Sequence, residues 1–132
     1  MVLGLFKRKV LRDPDRRASS VDKWPDYAVT LNGKNFNEFI QKYPLSLVDF
    51  WAPWCAPCRT MAPRLRRLSK IYKRKVAFGK LNTQENEDIA KKYKIMGIPH
   101  LIFFCNGKKI SSATGVKSVG NIKDTIDDLL IK

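Results

Sequence analysis

The sequence predicts an α/β fold, in which helices pack on both faces of a central mixed β-sheet. Stretches rich in β-branched and aromatic residues alternate with stretches of helical periodicity along most of the chain. This alternation indicates parallel strands joined by right-handed crossovers. Near the end of the chain, two strand-like stretches are joined only by Asn106 and Gly107, a pair typical of a tight antiparallel hairpin. The predicted order is therefore β-α-β-α-β-α-β-β-α.

The first half of the chain contains two predicted strands and two predicted helices. Residues 27–31 alternate as a strand does, and a helix should follow because three apolar residues share one face: Phe36, Phe39 and Ile40. Residues 45–52 form an almost continuous apolar run, typical of a strand buried on both faces, which Asp49 interrupts. A helix over residues 55–72 has an apolar stripe, and we expect Pro63 to kink it.

The second half contains three more strands and two more helices. Residues 76–82 read as a strand that includes Lys80, and residues 85–94 as a helix that begins with acids and ends with bases. The hairpin should pair residues 100–105 with residues 108–115. An amphipathic helix is predicted for residues 119–131.

Composition indicates one globular domain with a strongly basic surface. The chain has 132 residues, 44% of them hydrophobic, and no apolar run approaches the ~18–20 residues of a membrane-spanning helix. Its net charge is +14, with a dense basic stretch between residues 64 and 75. We expect a solvated charged surface rather than a nucleic-acid site, because no nucleic-acid-binding motif or interleaved aromatic stripe accompanies the charge.

Residues 1–26 differ from the rest, and we predict a mobile basic extension there, with the regular domain over residues 27–132. Their short apolar cluster precedes the basic residues, the reverse of a secretory signal, and the acids Asp13 and Asp15 argue against a transit peptide. A short interfacial helix over residues 2–11 is the alternative. With no convincing address, we expect a cytoplasmic protein.

Two of the three cysteines, Cys55 and Cys58, lie two residues apart where a buried strand gives way to a helix. Unpaired backbone N–H groups and the helix dipole favour a thiolate there. We expect Cys55 to be the nucleophile because it should meet solvent first, with Cys58 one turn inward. Pro57 near the helix start presets the helical φ. The spacing predicts a reactive dithiol.

Zinc is the rival chemistry for these cysteines. Together with His100 and Cys105 they make a formal Cys3His set. The 41 residues between Cys58 and His100 are not a finger spacing, and alternation along the strand should point the His100 ring and the Cys105 thiol to opposite sides. We therefore expect no metal, and Cys105 to be a small half-buried residue.

The motif "VDFWAPWCAPC", followed by Arg59 and Pro63, resembles the active site of the thioredoxin family. The likeness continues through "GKLNTQEN", "YKIMGIPHLIFFCNGKK" and "TGV", in the same order and spacing, over roughly residues 27–131. The resemblance implies a thioredoxin fold and reduction of protein disulfides by dithiol–disulfide exchange. Cys55 would attack the substrate disulfide, and Cys58 would resolve the mixed disulfide.

The resemblance also implies further site residues. Asp49 matches the family's buried proton-handling aspartate, Lys80 the lysine beside it, and Pro99 the cis-proline beside the dithiol. The apolar surface that docks the substrate chain would consist of Trp54, Gly97, Ile98, Gly115 and Val116. Trp51, Ala56 and Pro57 would shape the site. No cofactor is implied, and the expected partners of this monomer are disulfide-containing proteins and a thioredoxin reductase or equivalent donor.

Some alternatives stay open at the level of sequence. Asp49 could be a polar residue satisfied by Lys80 alone. Ala56 stands where the family commonly has glycine and supplies no charge, which favours a reductant over an oxidant. His100 follows Pro99 where threonine is common, and its charge could tune Cys55 between pH 5 and 8. A binding module with incidental redox activity is the rival function.

Overall fold

A computed structural model describes residues 23–131, and its elements follow the predicted order. The strands are β1 (Val29–Leu31), β2 (Leu45–Trp51), β3 (Ala77–Asn82), β4 (His100–Cys105) and β5 (Lys108–Thr114). The helices are α1 (Phe36–Lys42), α2 (Ala56–Ile71), α3 (Glu87–Lys92) and α4 (Val119–Ile131). No helix in this described part is long and apolar enough to cross a membrane.

The five strands form one mixed sheet in the order β1-β3-β2-β4-β5. β3 pairs in parallel with both β1 and β2, and β4 pairs antiparallel with β2 and β5. The predicted mixed sheet is therefore confirmed. The carboxyl end of β2 and the amino end of β4 meet at the same edge, which places residues that follow Trp51 near those that precede His100.

Each face of the sheet has its own hydrophobic core, because side chains of β2 alternate between the two faces. On one face, Val48 and Phe50 join a cluster with apolar residues of α1. On the other face, Leu47 joins a cluster with apolar residues of α2 and α4. Asp49 lies two residues after Leu47, so its side chain is on the same face, which α2 covers.

Several element boundaries differ from the prediction for local reasons. α3 spans Glu87–Lys92 instead of residues 85–94, because Asn86 is its N-cap and Lys94 has a left-handed φ of 53°. β1 begins only at Val29. α2 continues as one helix through Pro63, and the kink expected at this proline stays a prediction.

The core reaches further toward the amino terminus than predicted. Trp24 is buried, and its ring lies 5.0 Å from that of Tyr43, between centroids. The predicted domain start at residue 27 thus leaves out a core residue. The extension and the alternative helix over residues 2–11 stay predictions, because residues 1–22 lie outside the described part of the chain.

Candidate active site

The two cysteines lie at the junction between β2 and α2. Cys55 is the N-cap of α2, with extended backbone (φ −92°, ψ 105°), and its N–H donates to the Ala52 carbonyl at 3.1 Å. Cys58 lies in the first turn of the helix. The two sulfurs form a disulfide, with the Cα atoms 5.3 Å apart. The backbone N–H of Cys58 also donates to the Cys55 sulfur at 3.2 Å.

Exposure does not separate the two cysteines, contrary to our expectation that Cys55 meets solvent first. Both residues are 3% exposed. They pack with Ala52, and Trp51 and Ile98 lie against this small cluster. The hydrogen bond between them does distinguish the two cysteines. The backbone N–H of Cys58 donates to the Cys55 sulfur, so it would stabilise negative charge on Cys55.

Asp49 is a buried carboxyl within the sheet. It is 5% exposed, and its Oδ1 has no hydrogen-bond partner among residues 23–131. Burial raises the pKa of this carboxyl from 3.8 to about 7, and the charge of Lys80 opposes the shift without cancelling it. Asp49 can therefore hold or release a proton near neutral pH.

Lys80 lies opposite Asp49 in the β2–β3 register, but it is exposed. No ion pair or hydrogen bond joins the two side chains in the described structure. The alternative in which Lys80 satisfies Asp49 therefore does not hold for its Oδ1 atom. The effect of Lys80 on the Asp49 pKa is a longer-range electrostatic interaction.

The segment before β4 approaches the segment after β5. The Ile98–Pro99 peptide bond is cis, as the resemblance implied. The Gly115 N–H donates to the Pro99 carbonyl at 2.8 Å, and Gly115 has a φ of +96°. A Cβ at Gly97 would lie 3.2 Å from the Thr114 methyl group, so a side chain there would meet β5. These contacts hold the expected docking residues side by side.

An exposed apolar surface surrounds this junction. Trp54 is 69% exposed and Val116 is also exposed, while Ile98 packs against the cysteine pair. Met96, which was not among the expected site residues, is 94% exposed, two residues before Ile98. A single apolar residue after a short helix has no periodicity to mark it, so only its position beside Gly97 could have indicated it.

Two of the residues expected to shape the site lie between the cysteines, and Trp51 precedes them at the end of β2. Ala56 and Pro57 are exposed as the first two residues of α2. Trp51 is half-buried, its carbonyl accepts from the N–H and the hydroxyl of Thr83, and its indole N–H has no partner within the described residues. Arg59, one residue after Cys58, donates to the Pro53 carbonyl at 2.9 Å and so links α2 to the preceding loop.

His100 and Cys105 lie at opposite ends of β4 and do not join the cysteine pair. The Nδ1 atom of His100 is 2.7 Å from the Thr114 hydroxyl, and its ring lies against Phe50 on the face of α1. Burial, with a smaller effect of Lys109, lowers the pKa of His100. Within residues 23–131 no three His, Cys, Asp or Glu residues form a group that could hold a metal.

Comparisons with known proteins agree with this geometry. The family model described as "Thioredoxin" matches residues 27–128. The chain is 40% identical over 101 residues to a thioredoxin from Buchnera aphidicola, covering 76% of this chain and 94% of that protein. It is also 40% identical over 101 residues to the chloroplastic thioredoxin M-type of Spinacia oleracea, again over 76% of this chain but only 56% of that protein.

A solved structure extends the likeness to the fold. A mutant thioredoxin from Halobacterium salinarum superposes with a TM-score of 0.76 at 26% identity. The superposition covers 80% of this chain and 92% of that one. From this match, the family model and the closely spaced Cys55–Cys58 pair, we conclude that the chain belongs to the thioredoxin family and is a thiol–disulfide oxidoreductase.

Proposed function

We propose that the chain reduces disulfides of other proteins and that Cys55 makes the first attack. Cys55 caps α2, where unpaired N–H groups and the helix dipole favour negative charge. The N–H of Cys58 lies 3.2 Å from its sulfur. This hydrogen bond is the observation that supports the assignment, because the same donor stabilises a thiolate on Cys55 but not one on Cys58.

The proposed reaction has two exchange steps. The Cys55 thiolate attacks one sulfur of the substrate disulfide, forms a mixed disulfide and releases the other sulfur as a thiolate. Cys58 then loses its proton and attacks the Cys55 sulfur. The substrate leaves with both sulfurs reduced, and the chain keeps the Cys55–Cys58 disulfide. A reductase must then supply two electrons and two protons.

Asp49 is the proposed acceptor of the Cys58 proton. Its pKa of about 7 means that both protonation states are populated near neutral pH, which suits a general base at that pH. Its Oδ1 is buried without a partner, so no hydrogen bond within the described residues has to break before it accepts a proton. Lys80 would act by opposing the rise in the Asp49 pKa.

The substrate chain is proposed to dock on the apolar surface beside the dithiol. Trp54 and Val116 offer exposed apolar area, and the backbone of Ile98, before cis-Pro99, would pair with an extended peptide as an added strand does. Met96 would enlarge this surface, since a thioether adapts to different partners. Because the surface is mainly apolar and backbone-based, we expect several protein substrates.

In the cell, we expect the chain to pass electrons from a reductase to its protein substrates. Ala56 adds no charge that would stabilise the thiolate further, which favours a reductant supplied by a thioredoxin reductase or equivalent donor, and hence a role in electron transport. The likeness to bacterial thioredoxins supports a cytoplasmic location, although the spinach relative is named chloroplastic. The net charge of +14 favours a monomer.

Reduction of insulin with dithiothreitol as donor tests the function. Wild type should accelerate it, and Cys55→Ser should abolish the acceleration because the thiolate proposed to make the first attack is lost. Cys58→Ser should stall at the mixed disulfide, so a pull-down should recover partners that dithiothreitol releases. If Cys55→Ser still traps partners while Cys58→Ser does not, the order of attack is reversed. If a double Cys→Ser variant keeps full biological function, the binding-module alternative is correct.

A further inference from the structure

We propose that the exposed face of α2 docks an acidic surface on the proteins whose disulfides the dithiol reduces. This inference rests on the proposed function and adds the class of partner. The docking surface, called the basic stripe below, consists of Arg59, Arg66, Arg67, Lys70 and Lys73.

The stripe is a single line of positive charge on a rigid element. Arg66 and Lys70 follow Arg59 by seven and eleven residues, so each lies within about 20° of Arg59 around the helix axis. Arg67 flanks this line and Lys73 continues it in the turn beyond the helix. All five residues are exposed. From Arg59 to Lys70, its helical part, the stripe is about 17 Å long, at 1.5 Å per residue.

The helix that carries the stripe supplies no opposing charge. α2 contains no Asp or Glu, and the ion pair seen within residues 23–131, Lys123–Asp127, does not involve the stripe. The two hydrogen bonds that side chains of the stripe donate within residues 23–131 end on neutral carbonyls, from Arg59 to Pro53 and from Lys70 to Asp26. The field of the stripe is therefore available to an external partner.

The stripe leads directly to the reacting sulfurs. Arg59 follows Cys58 in the first turns of α2, so a partner lying along the stripe has part of its surface beside the dithiol. Complementary charge steers encounter and fixes the register of docking. An acidic face near a disulfide would therefore bring that disulfide to Cys55 more often than diffusion alone.

An acidic protein fits the stripe better than a nucleic acid or a membrane. Ile71, 53% exposed, lies beside Arg67 and adds apolar contact area, and arginine itself is enriched in protein interfaces. The exposed aromatic residues that would stack on bases, Tyr27 and Trp54, are not part of the stripe. The apolar face of α2 is buried in the core, so the helix has no apolar face to insert into lipid.

Two cystine peptides of equal length test the proposal. Each has an arm of about seven residues on either side of the disulfide, long enough to follow the stripe at about 3.3 Å per residue. In one peptide the arms are Glu-rich, and in the other they are Ser- and Gly-rich. The measured quantity is the ratio of their second-order rates of reduction by the full chain, at low and at high salt.

For wild type at low salt, the acidic peptide should react about tenfold faster than the neutral one. High salt should bring the ratio close to one, because it screens exposed charges. Arg66→Gln/Arg67→Gln should lower the low-salt ratio about three- to tenfold, the scale of two exposed ion pairs. Arg66→Lys/Arg67→Lys keeps the charge and should retain most of the ratio.

Lys108→Gln/Lys109→Gln is the matched control, because it removes two adjacent exposed charges from the edge strand β5, which is not part of the stripe. If this control lowers the ratio as much as the α2 variant, net charge rather than the stripe is responsible. Equal rates for both peptides also overturn the stripe, while failure to reduce even the neutral peptide overturns the proposed function instead. Tighter binding of duplex DNA or phosphatidylglycerol vesicles than of the acidic peptide would contradict a protein partner.

Discussion

At the scale of single residues, Asp49 is the group among the described residues whose pKa is shifted furthest by its surroundings. A buried carboxyl with an unpartnered oxygen favours the protonated form, and its pKa of about 7 lies well above the ordinary value of 3.8. The folded chain therefore binds a proton that the unfolded chain has already lost. Stability due to this group is complete below about pH 4 and is lost as the pH rises to about 7.

Asp49→Asn should remove this pH dependence. Between about pH 4 and pH 8, wild type should lose up to about 4 kcal/mol of unfolding free energy that the variant keeps. Urea unfolding of both oxidised proteins across this range measures it. A difference that stays constant with pH would mean that the pKa of the Asp49 carboxyl is not raised in the folded state.

His100 should show the opposite behaviour. Burial lowers its pKa below 6.5, so it binds a proton less readily in the folded chain than in the unfolded chain. Wild type should therefore lose stability relative to His100→Thr as the pH falls through about 6.5. Because His100 is then neutral at pH 7, the same variant should leave the titration of Cys55 unchanged above that pH. A shifted Cys55 titration in this range would restore His100 as a tuning residue.

We expect Ala56 to influence the reduction potential, because it places no charge at the start of α2. We expect the wild-type potential to lie below about −180 mV, and Ala56→His to raise it by roughly 30 mV or more, since an imidazolium there stabilises the thiolate. Equilibration with glutathione buffers measures both values. Ala62→His, at an exposed position further along the same helix, is the control and should not move the potential.

At the scale of elements, the packing of β3 against β1 and α1 depends on a residue without a side chain. A Cβ at Gly79 would lie 2.6 Å from the Leu31 Cδ1 atom and 3.1 Å from the Phe39 ring. Gly79→Ala should therefore cost about 1–3 kcal/mol of unfolding free energy, as overpacking does. Gly33→Ala is the matched control, because nothing lies within 4 Å of its Cβ position.

Urea unfolding of these two glycine variants gives the comparison directly. Gly33→Ala should be neutral or slightly stabilising, because alanine restricts the unfolded chain. If Gly79→Ala is equally neutral, β1 and α1 can shift to make room, and the contact between them and β3 is looser than the distances indicate.

The elements themselves could be predicted from periodicity, whereas some of their ends could not. All nine were expected in order, most of them from apolar patterns, which report burial directly. α3 was expected from its acidic start and basic end, and β5 from the Asn106–Gly107 turn before it. The end of α3 depends on a left-handed residue, Lys94, for which the sequence has no glycine as a signal. The strand order β1-β3-β2-β4-β5 was not predicted either, because right-handed crossovers permit several orders of parallel strands.

At the scale of the whole molecule, the site is an assembly of segments that are distant in sequence. Asp49 could be recognised from sequence because it is a charge in an apolar run, and the resemblance supplied the cis-Pro99 segment and Gly115. Relative exposure of the two cysteines was predicted wrongly, because the packing of Ala52 and Ile98 over both sulfurs depends on tertiary contacts.

The net charge of the whole molecule, +14, predicts a monomer, because copies of like charge repel one another. Sedimentation at low salt should give the mass of one chain. A dimer that disappears on reduction and in Cys105→Ser would contradict this and would identify the half-buried Cys105 as an intermolecular thiol. A dimer that persists in both cases would point to a non-covalent interface.

The buried carboxyl of β2 has a consequence for laboratory evolution of this chain. Selection for heat resistance alone, at neutral or alkaline pH, should first enrich neutral residues at position 49, because an ionised carboxyl buried there destabilises the folded chain. Selection that also demands turnover should keep the aspartate. The residues recovered at this one position would therefore show which of the two demands a given selection imposed.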